Sequence, residues 1–107
     1  MGPREIHRAV APQDGDIVVT KHRVSAFAGT DLEMILRAHD IDTLVMFGIA
    51  TSGVVLSTLT HAVDRDYKTF VINDLCADGD QELHTSLMRF YARRGTVISS
   101  SDLIAAL

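Results

Sequence analysis

Apolar residues in this chain come in short blocks set between turn-forming residues. Thr43–Gly48 and Lys68–Asn73 are nearly continuous apolar runs of strand length, Asp16–Lys21 is rich in β-branched residues, and Thr96–Ser99 is a shorter fourth run. Between them the period changes to that of a helix. Leu32, Ile35, Leu36 and His39 recur at helical spacing behind Thr30-Asp-Leu-Glu33, which reads as a capping box opening a helix that stops near Asp40. A second helix is predicted from about Ser52 to Asp64. A third follows the Asp78-Gly79-Asp80 turn, runs from Gln81 to Arg94 and is ended by Gly95. Ser101–Leu107 reads as a last helical turn or two. Residues 1–15 form a loop-like lead-in punctuated by Pro3, Pro12 and Gly15, with a short apolar patch at Ala9–Ala11.

Strands alternating with helices predict right-handed βαβ units around a parallel sheet. The fold class is therefore α/β, with residues 1–107 forming a single domain. The runs at 43–48 and 68–73 read as strands buried on both faces.

Composition narrows the function only slightly. The chain of 107 residues is 47% hydrophobic and 22% charged, a balance typical of a folded domain. A net charge of −4 argues against nucleic acid as a partner, and Arg89, Arg93 and Arg94 read as a solvated helix face. No apolar run is long enough to cross a bilayer, and no basic-then-apolar leader opens the chain. The one cysteine, Cys76, excludes an internal disulfide and fits a reducing compartment, so a cytoplasmic location is expected.

Candidate chemistry gathers where strands end, the binding end of open α/β sheets. Gly48 closes one strand, and the Thr51-Ser52-Gly53 corner opens the next helix. Its N–H groups could cradle an anion or serve as an ordinary helix cap. Val54 stands where a reactive side chain would most naturally meet that corner, and it is inert. Lys21 ends the Asp16–Lys21 run and reads either as a carboxylate partner or as an exposed lysine. Asp74 is a site carboxylate or a turn residue. Cys76 reads as a buried thiol, and Ser52 has no base placed beside it. The five histidines show no metal-ligand spacing, and no glycine-rich phosphate loop is present, so no metal or cofactor is expected.

Three segments together resemble the isochorismatase-like cysteine hydrolases. Asp16-Ile-Val-Val-Thr-Lys21-His-Arg-Val-Ser-Ala-Phe27-Ala-Gly-Thr30-Asp-Leu32 resembles that family's lysine motif. Gly48-Ile-Ala-Thr51-Ser-Gly-Val54-Val-Leu-Ser-Thr58 resembles its nucleophile motif, and Val71-Ile-Asn-Asp74-Leu-Cys-Ala-Asp78 its next strand. The match runs in order from about Pro12 onward. It implies a three-layer α/β/α sandwich around a parallel sheet, assembly as homo-oligomers, and a small-molecule substrate hydrolysed by an Asp, Lys, Cys triad. Isochorismatases proper lack the cysteine and use the aspartate to help cleave a vinyl ether.

Carried over, the resemblance makes Lys21 the catalytic lysine and Ala50-Thr51 the oxyanion turn, with a cis peptide around Ile49–Thr51. Phe27, Ala50, Thr51, Gly53 and Val54 become the substrate-binding positions. Val54 replaces the nucleophile cysteine, and Cys76 belongs to a different strand exit. The family's aspartate precedes the lysine motif on an N-terminal strand that this sequence is expected to lack. The expected function is that of an isochorismatase-like hydrolase with weak or no activity in this 107-residue form. The alternative is a non-catalytic ligand-binding or assembly domain of the same descent.

Overall fold

The computed structural model describes residues 6–107, so the first five residues of the loop-like lead-in lie outside it. Its elements in chain order are a 3-10 turn at Arg8–Val10, α1 at Leu32–Ala38, β1 at Thr43–Ile49 and a π-type turn at Thr51–Val55. Then come α2 at Leu56–Asp64, β2 at Lys68–Ala77, α3 at Gln81–Tyr91, β3 at Thr96–Ile98 and α4 at Ser100–Ala106. The strands form a parallel sheet in the order β1-β2-β3. Helices α2 and α3, which connect β1 to β2 and β2 to β3, pack together against one face of the sheet. There Val55 and Leu59 meet Val71 and Cys76 of β2 and Tyr91 of α3, with Met46 and Val97 packed against them. Phe27, Leu36, Ala62 and Tyr67 make a second cluster with Leu32 and Leu44. The layered α/β fold expected from the sequence is observed.

Four details depart from expectation. The run Asp16–Lys21 forms no strand. A β-branched run becomes a strand only with a partner to pair with, and this one is exposed apart from half-buried Val19. Val18, Val19, Thr20 and His22 instead line a cleft opposite Gly29–Asp31 and Ile35.

Second, β1 is not buried on both faces. It alternates exposed and half-buried positions, with Val45, Phe47 and Ile49 at 44%, 60% and 77% exposure. The reason is position: β1 lies at the edge of the sheet. Third, the Thr30–Glu33 capping box does not close. Thr30 accepts from the Leu32 N–H and donates to the Ala26 carbonyl, Asp31 holds the cap position, and Glu33 pairs with Arg65. A capping box does form at α4, between Ser99 and Asp102. Fourth, α3 ends at Tyr91 rather than Arg94, with the Gly95 N–H returning to the Tyr91 carbonyl at 2.9 Å.

A bulge in β2 shapes the binding end. Met46 pairs with Val71 but Gly48 pairs with Cys76, so β2 carries three more residues than β1 between these points. The extra length brings Asp74 to α4, where its carboxylate accepts the Ser100 N–H at 2.7 Å and the Ser100 hydroxyl at 2.5 Å. Asp74 therefore anchors the start of α4, and its pKa is held below the usual carboxylate value by those same bonds.

Candidate functional site

The centre of the site is the turn leaving β1. Gly48 has φ of 140°, a region open mainly to glycine, and the next peptide, Ile49–Ala50, is cis, in the segment where the family resemblance implies one. The chain then winds into the Thr51–Val55 turn, with the Ala50 carbonyl accepting the Gly53 N–H at 3.0 Å and the Val55 N–H at 3.4 Å.

Side chains from the far side of β2 fasten this turn. Thr51 is completely buried, and its hydroxyl lies 2.7 Å from His84 Nδ1. The Tyr91 hydroxyl donates to the Thr51 carbonyl. Asp78 accepts the Ser52 N–H at 2.8 Å and the Asp80 N–H at 3.1 Å. Hydrogen bonds from Ser52 and Asp80, together with the nearby His84 imidazole, hold the Asp78 carboxyl below its usual range. The corner Thr51-Ser52-Gly53 therefore does not present an open row of N–H groups. Ser52 donates to Asp78 and Gly53 donates to Ala50, so two of the three are engaged within the chain.

Sequence reasoning missed His84, Asp78 and Tyr91 as parts of this site. The available signal was spacing: His84 and Tyr91 lie two helical turns apart on α3 and so share a face, one turned toward the strand end.

Val54 is half-buried and lines a cleft of about 300 Å³ with Ala26, Val45, Met46, Phe47, Val55 and Thr58. The cleft offers no nucleophile beyond the Thr58 hydroxyl, which accepts the Ala26 N–H at 3.0 Å. Phe27 is placed differently from its neighbour Ala26. It is 6% exposed and packs against Tyr67 and edge-on to His61, inside the second core cluster. Cys76 is buried opposite Gly48 in the ladder, and burial pushes its thiol pKa up, which disfavours a thiolate. Lys21 is exposed and forms no ion pair among the described residues. Among those residues, no group of three or more His, Cys, Asp or Glu side chains is placed to hold a metal ion.

The turn leaving β1 thus carries a cis peptide and adjoins a cleft lined in part by Val54. Residues 2–102 match the Isochorismatase domain. The chain belongs to the isochorismatase family. It is 32% identical over 100 residues to the maleamate amidohydrolase of Pseudomonas putida, covering 92% of this chain and 47% of that protein. It is 35% identical over 99 residues to the phenazine biosynthesis protein PhzD of Pseudomonas fluorescens, covering 92% and 48%. The crystal structure of an isochorismatase-like hydrolase from Alkaliphilus metalliredigens superposes with a TM-score of 0.91 at 31% identity, covering 95% of this chain and 56% of that one. This family member thus spans about half the length of the curated relatives it matches. Among the described residues, no helix is long and apolar enough to cross a membrane.

Proposed function

We propose that this chain binds a small amide- or carboxylate-bearing molecule at the β1 end, between the Ala50–Gly53 turn and the cleft beside Val54. On this reading the 107 residues do not hydrolyse it unaided. The observation that carries the reading is Val54 itself: an isopropyl group fronts the cleft where the family resemblance implies a cysteine, so no covalent intermediate can form there. Cys76 does not substitute, being buried on β2 with a raised pKa. Lys21 would serve turnover only with a carboxylate brought beside it, and no such carboxylate lies within ion-pair reach among the described residues. Maleamate, the substrate that one relative's name gives, carries both an amide and a carboxylate and is the natural first ligand. The lone cysteine supports a cytoplasmic setting.

A second observation favours assembly. Val45, Phe47 and Ile49 form an exposed apolar row on the edge strand, and since Val45 and Phe47 also line the ligand cleft, a second copy pairing there would cover the row and wall the cleft. The decisive experiment is a maleamate assay of the wild type and of Val54→Cys, with ligand binding followed by NMR. The expected result is binding without ammonia release by either protein. Turnover by either one would overturn the proposal.

A further inference from the structure

Thr51 is fully buried, and a buried hydroxyl and carbonyl each need a partner. Both partners come from α3: Tyr91 serves the carbonyl and His84 the hydroxyl. The next peptide is served by Asp78, which lies just ahead of that helix. Three side chains from one segment thus fix consecutive groups of the turn that leaves β1.

We propose that His84 is a positioning residue for this turn, acting through Thr51, with Asp78 securing the adjoining Ser52 peptide. With the ring proton on Nε2, the neutral imidazole accepts the Thr51 O–H at Nδ1, 2.7 Å away. Once protonated, Nδ1 becomes a donor and can only give a hydrogen bond to Thr51 Oγ1. The proton of the fully buried Thr51 hydroxyl then loses its acceptor, and the turn loosens. Asp78, just ahead of the helix, lies near enough to His84 to feel its charge, and Tyr91 on the same helix meets the same residue, Thr51. The hydrogen bonds that Asp78 accepts from Ser52 and Asp80, with the nearby imidazole, hold its carboxyl below the usual carboxylate range. The inference rests on the reading that this turn holds the ligand's carbonyl or carboxylate, but its first readout does not depend on a ligand.

The test follows backbone amides of the whole chain by NMR. In the wild type, the Thr51 and Ser52 amide shifts should move through the same midpoint as the His84 ring protons. In His84→Asn, whose side-chain carbonyl replaces the Nδ1 acceptor, that transition should vanish while amide exchange at Thr51–Gly53 stays within about twofold of wild type. His84→Leu, which offers no acceptor, should speed the same exchange about tenfold or more. If His84→Leu does not fold, the wild-type titration and His84→Asn decide alone. Turn amides that ignore the His84 midpoint, or exchange equal in all three proteins, would overturn the inference. Maleamate binding to the same proteins separates the two readings. A turn that responds to His84 in a protein that binds no maleamate upholds the positioning role and removes the ligand assignment.

Discussion

Tyr91→Phe isolates one hydrogen bond at the base of the site. Tyr91 is completely buried, its ring packs in the main core cluster, and its hydroxyl donates to the carbonyl of completely buried Thr51. Removing one oxygen keeps the ring packing and leaves a buried carbonyl without its donor, at a cost of about 1–3 kcal/mol. Domains of this size are stable by about 5–15 kcal/mol, so the loss is a large fraction of the total. At about 4–8 °C per kcal/mol, Tm should fall by between about 4 and 24 °C.

The same variant has a pH signature. Burial is the main cause that pushes the Tyr91 hydroxyl pKa from 10.0 up to about 12, with the nearby Cys76 and Asp78 adding to it. Between those values the folded state keeps a proton that the unfolded chain releases. Stability from this group is therefore complete below pH 10 and is lost as pH rises toward 12. Two pKa units correspond to roughly 3 kcal/mol. Urea unfolding of both proteins at neutral pH and across the alkaline window reads both effects, and groups common to the two cancel in the difference. The stability gap should close as pH climbs. Equal midpoints at neutral pH, or a gap that stays constant across the window, would refute the reasoning.

Other perturbations test separate parts of the structure. A Cβ at Gly95 would lie 2.1 Å from Thr69 Oγ1 and 2.7 Å from the Thr69 carbonyl oxygen, so Gly95→Ala should cost about 1–3 kcal/mol or more in urea unfolding. A wild-type midpoint would mean the α3–β3 link is looser than this contact requires. Asp74→Asn should remove an acid-side contribution to stability. The lowered Asp74 pKa stabilises the fold above the unfolded value near 3.8, and that gain is lost as pH falls through the folded value. The wild type and Asp74→Asn should therefore differ near neutrality and converge in acid, and parallel pH curves would contradict this. Phe47→Glu places a charge in the exposed row on β1 and should shift light-scattering mass toward the monomer, whereas a wild type already monomeric at micromolar concentration would sink the assembly proposal.

Much of the fold was legible because its strands are short apolar runs bounded by residues that must turn. Gly48, Gly95 and the Asp78–Asp80 turn mark ends that the structure keeps to within a few residues. The exceptions share a cause. Asp16–Lys21 has the composition of a strand, yet a strand is a property of a pair, and no partner lies beside it among the described residues. Thr30–Glu33 has the letters of a capping box, but Arg65, distant in sequence, draws Glu33 away. Local pattern announces what a segment can do, and long-range partners decide which option is taken.

The site divides along the same line. Residues contributed by the turn itself, Ala50 to Val54, were legible because they are contiguous and follow a strand. The residues that hold it, Asp78, His84 and Tyr91, arrive from 26 to 40 positions away and carry no motif of their own. Phe27 lies within the lysine-motif segment, and its ring packs in the second core cluster while its neighbour Ala26 lines the cleft. Membership of a motif therefore says that a segment passes the site, and not which of its side chains face it. Here the cleft side of the turn is apolar and the fastened side is polar. That division fits the proposed binding turn, in which Val54 lines the cleft and offers no nucleophile.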